Sequence, residues 1–118
     1  MTFNKDYAGV LFSSLCLLHC IAGPVILALG FTSLTFSFFL DEKVHLALVF
    51  PIIFFAFWSM PIGLKKHQSK LPLTLAITGV LMLLSGLMIE RFEMALTFLA
   101  SSMLIVAHLS NVKLLNKK

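Results

Sequence analysis

Charge is scarce in this chain. Of its 118 residues only 12% are Asp, Glu, Lys or Arg, about half the share found in ordinary soluble domains. Residues 7–40, 44–64, 71–89 and 94–112 contain no such residue at all. That leaves no room for a soluble catalytic domain, a cofactor-binding fold or a globular nucleic-acid module, in spite of a net charge of +4. Cysteine is scarce too. Cys16 and Cys20 are the only two, so any thiol chemistry rests on one pair. The chain also lacks a Cys-x-x-Cys-His haem motif, a phosphate-cradling glycine loop, an HExxH helix and a Ser-His-Asp set in a soluble pocket, and no enzyme is expected.

What fills the chain is apolar. Hydrophobic residues make up 59% and the mean hydropathy is +1.01. A bilayer core of roughly 30 Å takes about 20 apolar residues to cross as a helix. The charge-free stretches therefore predict an all-α, polytopic membrane protein with four transmembrane helices near residues 7–30, 42–64, 72–89 and 93–115, forming a single domain over 1–118. The apolar run from Tyr7 is too long for the h-region of a cleaved signal peptide. Ser13-Ser14-Leu15 before Cys16 lacks the small residue expected ahead of a lipidated cysteine.

The few charges act as topology signals. Lys5, Lys65, Lys66, Lys70, Lys113, Lys117 and Lys118 fall on one side of the predicted bundle, with only Lys43 and Arg91 on the other. The side rich in Lys and Arg is cytoplasmic, which places both termini inside a cell inner membrane and the acids Asp41, Glu42, Glu90 and Glu93 outside. Asp41 can cap the second helix, Pro51 and Pro61 are expected to bend it, and Pro72 suits a first helical turn. The Phe-, Ser- and Thr-rich residues 31–40 suit the outer interface. Glu90 and Glu93 are expected to face water, and His67 to be a solvated residue of the basic loop.

Small and polar residues mark helix faces that pack inward in lipid. On the first helix Gly9, Ser13, Cys16, Cys20, Gly23, Leu27 and Gly30 share one stripe at helical spacing. On the fourth, Thr97, Ser101, His108 and Asn111 do the same, and the third adds Thr74, Thr78 and Ser85.

The distinctive chemistry lies in Cys16-Leu17-Leu18-His19-Cys20. Residues three and four apart on a helix are neighbours, so two sulfurs and an imidazole project into one small volume. Soft sulfur donors select Hg(II), Cu(I) or Zn(II), with imidazole serving the latter two. Two thiols on adjacent turns suit a near-linear ion better than a tetrahedral one. A disulfide is disfavoured, because its Cβ atoms must lie closer than an intact helix holds them. Buried cysteines also serve as plain packing residues, but His19 beside them favours a ligand or proton-transfer role, since an ionisable group deep in a membrane is costly. Pro24 frees the carbonyl of Cys20, which either kinks the helix or shapes the site. His108 can extend a relay toward the cytoplasm or glue the inner end of the bundle with Asn111. His45, at the outer mouth, can be an entry ligand or an interfacial residue. The candidate metal ligands are thus Cys16, Cys20 and His19, with His108 and His45 as further donors.

Ser14-Leu15-Cys16-Leu17-Leu18-His19-Cys20 followed by Pro24, then His45, His67, and Ala107-His108 with Asn111 before a basic tail, resembles the MerC-domain family over essentially the whole chain. The resemblance implies an inner-membrane protein whose first-helix thiols take up mercuric ion and pass it toward a cytoplasmic thiol acceptor such as mercuric reductase. By position Cys16 and Cys20 correspond to those thiols, at a wider spacing. The second, C-terminal cysteine pair of the mercury-resistance members is missing. The expected function is membrane transport of Hg(II) into the cytoplasm by thiol ligand exchange, with no resident cofactor and no nucleic-acid partner. The alternative is a non-transporting membrane subunit that binds Zn(II) or Cu(I), or that serves redox sensing. Four helices enclose little space, so a homodimer is compatible with either function.

Overall fold

A computed structural model of the chain describes residues 2–30 and 41–117, so the interfacial role expected for 31–40 lies outside the described residues. Four helices carry the fold: α1 Thr2–Ala28, α2 Glu42–His67, α3 Leu71–Met88 and α4 Glu93–Asn116, with a single 3-10 turn Glu90–Phe92 between the last two. All four are long and apolar enough to cross a membrane, and no strand occurs among the described residues. Only helices and closed barrels satisfy every backbone group in lipid, and the chain takes the first solution.

The expected helices are all present, with shifted ends. Asp41 caps α2 as expected, its carboxylate accepting from the Lys43 N–H at 3.1 Å. Pro72 sits in the first turn of α3. α2 runs on to His67 rather than stopping near 64, since Lys65, Lys66 and His67 complement the negative helix end. Gln68, at φ 60°, closes it with its N–H on the Leu64 carbonyl. α1 starts at Thr2 rather than near Tyr7. Lys5 and Asp6 do not end the apolar span, because both are accommodated in the bundle: the Lys5 ammonium lies 3.9 Å over the Trp58 ring and Asp6 is fully buried.

The helices alternate in direction, which gathers Glu42, Glu90 and Glu93 at one end, the acidic end, and Lys5, Lys65, Lys66, Lys70 and Lys113 at the other, the basic end. α4 packs along α3 on one side and α1 on the other, and α2 lies against α1 with smaller contacts to α3 and α4. The core joins Cys16 to Val49, Ile52, Ala56 and Met60 of α2, Ala76, Val80 and Leu83 of α3, and Ala100, Leu104 and Ala107 of α4. Phe50, Phe54, Phe57, Leu81 and Met88 point outward, where lipid tails solvate them.

Two expected inward faces are corrected. Thr74, Thr78 and Ser85 are exposed, and each hydroxyl donates to the carbonyl four residues back, on Lys70, Thr74 and Leu81. A hydroxyl satisfied within its own helix needs no neighbour. Leu27 and Gly30 are exposed as well, so the α1 stripe ends at Gly23. The close approach of α3 and α4 rests instead on Gly79 and Gly86. A Cβ at Gly79 would stand 2.9 Å from Leu104 Cγ and 3.2 Å from the Ala100 carbonyl oxygen. Gly79→Val should therefore destabilise the bundle by about 1–3 kcal/mol through overpacking, read as a lowered thermal midpoint of the detergent-solubilised protein.

Candidate functional site

At the acidic end a cavity of about 390 Å³ opens between α1, α2 and α4, lined by His19, Cys20, Glu42, His45, Glu90 and Glu93 among others. The rings of His19 and His45 stack with centroids 6.1 Å apart. His45 Nδ1 lies 2.9 Å from Glu93 Oε1; the carboxylate only accepts, so Nδ1 carries a proton, and in the neutral ring the lone pair is on Nε2. That Nε2 is buried and has no partner among the described residues. Glu93 stays partly exposed, as its place in the sequence suggested, and also holds His45. Cys20 is half-buried in the wall, its Sγ donating to the Met94 carbonyl at 3.4 Å.

One turn further in, Cys16 is fully buried and lies beside Ser101 of α4 and Cys20. Both thiols are free. The two cysteines are thus unequal, one reached from the cavity and one sealed. Ser13, on the same α1–α4 seam, is fully buried with a hydroxyl oxygen that lacks a partner among the described residues, as does Thr97 Oγ1. The structure brings Cys20, His19 and His45 around one cavity with Cys16 next to it. Among the described residues no three His, Cys, Asp or Glu side chains converge tightly enough to hold a metal ion.

His108 belongs elsewhere. It lies on α4 two turns from Ser101, about 10 Å along the axis, in a second polar cluster at the basic end. Its Nδ1 donates to Asp6 Oδ1 at 2.9 Å. Ser59 Oγ donates to the same oxygen at 2.6 Å, and Asn111 Nδ2 donates to Asp6 Oδ2 at 2.9 Å and to Ser59 Oγ at 3.2 Å. His67 joins through Asn111. Its Nδ1 accepts from the Ser69 N–H at 3.1 Å, so its Nε2 donates to Asn111 Oδ1 at 2.7 Å. His67 is thus a bonded part of the bundle rather than a solvated loop residue. Gly9 and Gly63 make the cluster possible: a Cβ at Gly9 would collide with the His108 ring, and one at Gly63 with the Asn111 amide.

Asp6 and Ser59 were not singled out by sequence. Asp6 was legible in principle, since 6, 9, 13 and 16 continue the α1 stripe one turn toward the N-terminus, and it is the one acid on the basic side. Ser59 carried no such signal amid the aromatic residues of α2. Removing a partner from a buried charged network leaves groups unpaired, at about 3–5 kcal/mol. Asp6→Leu should therefore lower the unfolding midpoint sharply, while Glu90→Gln at the exposed turn should stay within about 0.5 kcal/mol of the parent.

No curated protein and no solved structure matches the chain significantly. A family model, described as MerC mercury resistance protein, matches residues 6–113, a span that begins at the buried Asp6 and takes in both cysteines, the cavity and the His108 cluster. The chain belongs to the MerC mercury resistance protein family and is a multi-pass membrane protein related to mercury resistance and transport.

Proposed function

We propose that the protein carries Hg(II) inward across the cell inner membrane by ligand exchange on Cys20 and then Cys16, entering at the acidic end. The excess of Lys at the basic end favours that end as cytoplasmic. The observation that carries the proposal is the inequality of the thiols: Cys20 lines the cavity while Cys16, on the next turn, is sealed in the core.

The ion arrives bound to two anionic ligands, thiolate or chloride. In the first step a Cys20 S–Hg bond forms, one bond from mercury to its incoming ligand breaks, and that ligand departs into the cavity. The proton leaving Cys20 passes to the departing ligand or to the lone pair on His45 Nε2, which Glu93 fixes in place. His19, against the His45 ring, serves the same mouth. In the second step Cys16 displaces the remaining ligand, its proton leaving with that ligand, and mercury spans the pair. The ion is never bare in lipid. A two-coordinate soft ion needs only this pair, whereas a resident tetrahedral ion needs four donors. With no second cysteine pair in the chain, the next acceptor is a cytoplasmic thiol such as that of a mercuric reductase.

Uptake of labelled Hg(II) by cells producing the protein is the test. Cys16→Ser and Cys20→Ser should each bring uptake down to that of cells without the protein, while Cys20→Ser leaves the protein folded. Equal uptake by the parent and both variants would overturn the proposal.

A further inference from the structure

The cavity in front of Cys20 carries one sign of charge. Its ionisable lining is Glu42 of α2, Glu90 of the 3-10 turn, Glu93 of α4, the imidazoles of His19 and His45, and the Cys20 thiol; no Lys or Arg lines it among the described residues. Three carboxylates outnumber two imidazoles, so the lining stays negative even with both rings protonated. The two basic residues of this end, Lys43 and Arg91, are exposed and outside the lining, and the Arg91 guanidinium stands 5.7 Å from the centre of the Phe92 ring. Residues 31–40 contain no Asp, Glu, Lys or Arg.

His45 sharpens the preference at short range. It is only 6% exposed, its Nδ1 is bonded to Glu93, and its Nε2 has no partner among the described residues. In the neutral ring that atom offers a lone pair, which a donor satisfies and an anion does not. The Cys20 thiol is already given to the Met94 carbonyl.

A cleft lined by one sign of charge and walled by material of low dielectric constant focuses its field, changing local solute concentrations and entry rates by about 10–10³-fold. Two thiolates or two chlorides cancel the charge of mercury itself, so the charge of the complex is set by whatever else its ligands carry. We propose that Glu42, Glu90 and Glu93 select the form in which Hg(II) reaches Cys20, admitting complexes with neutral or cationic ligands and turning away those whose ligands bear carboxylates. This rests on the thiol-pair transport described above. Mercuric dichloride and the complexes of aminothiols belong to the first class, and those of carboxylate-rich thiols such as glutathione to the second. In the step so selected, the Cys20 S–H bond breaks and a Cys20 S–Hg bond forms; one bond from mercury to its incoming ligand breaks, and the proton leaves with that ligand. No oxidation state changes. A carboxylate ligand is opposed twice, first on approach past Glu42 and Glu90 at the exposed rim, and again while the ligand still on mercury waits beside Glu93 for the second exchange.

The test uses the full-length protein in nanodiscs of zwitterionic lipid and three mercury complexes of similar size: the bis-thiolates of cysteamine, 2-mercaptoethanol and thioglycolate, whose ligands end in an ammonium, a hydroxyl and a carboxylate. Mercury transfer is read as the mass gained by the intact protein after rapid quenching. Each rate is divided by that on N-acetylcysteine amide, which removes the intrinsic differences among the three leaving thiols. At about 0.01 M salt, where charges act over about 30 Å, the ammonium complex should react at least about 10-fold faster than the carboxylate complex, with the hydroxyl complex between them. At about 1 M, where the range shrinks to about 3 Å, the ratio should fall toward one. Glu42→Gln combined with Glu90→Gln, both at exposed positions, should lower the low-salt ratio by at least about threefold. A ratio of one in the parent at low salt, or a ratio that the folded double variant leaves unchanged, overturns this inference and leaves the thiol-pair account standing. Transfer that proceeds in Cys20→Ser at the parent's rate overturns both. The parent's ratio and its dependence on salt decide the matter even where the double variant fails to fold.

Discussion

A carboxylate with no access to water organises the basic half of this molecule. Burying an unpaired Asp costs several kcal/mol even after relaxation, and Asp6 is accommodated only because Ser59, His108 and Asn111 all donate to it. Those donors come from α2 and α4, so a single side chain fixes the register of three helices. Apolar packing alone does this poorly in a membrane, where lipid tails compete on equal terms with neighbouring helices. The glycines at 9 and 63 serve the same end by leaving room for the His108 ring and the Asn111 amide.

The register set at Asp6 reaches the thiols through the rigidity of α1. Counting along its inward face, Asp6, Gly9, Ser13 and Cys16 are buried in turn, and Cys20 emerges where α1 meets the cavity at the acidic end. A slip of one residue would rotate this face by about 100° and take Cys16 off the core and Cys20 off the cavity wall. Chemical asymmetry thus follows from a structural fixture more than two turns away.

The membrane class, the four helices and the cysteine–histidine segment were legible from sequence because each is a local pattern: charge-free runs of bilayer length, and spacing within one helix. The cap at Asp41 and the first-turn Pro72 were legible for the same reason. What sequence left open were matters of partnership. Thr74, Thr78 and Ser85 have the spacing of a packed face, yet a hydroxyl on a helix can satisfy itself on the carbonyl four residues back, and these do. Asp6, His67 and Glu93 look like residues of the aqueous margin, and each instead spends its bonds inside the bundle or at its mouth. His108 could be placed at the inner end by depth alone; that its companion is a carboxylate from the opposite terminus, 102 positions away, is visible only in three dimensions.

The central claim is that mercury is held by Cys20 and Cys16 together, one thiol facing the cavity and one sealed behind it. X-ray absorption at the mercury edge, on protein loaded with one equivalent of mercuric chloride in nanodiscs, tests this most directly. The account predicts a linear site with two sulfur neighbours that loses one sulfur in either Cys16→Ser or Cys20→Ser. A site built from nitrogen or oxygen neighbours, or one with a single sulfur that Cys16→Ser leaves unchanged, would contradict it.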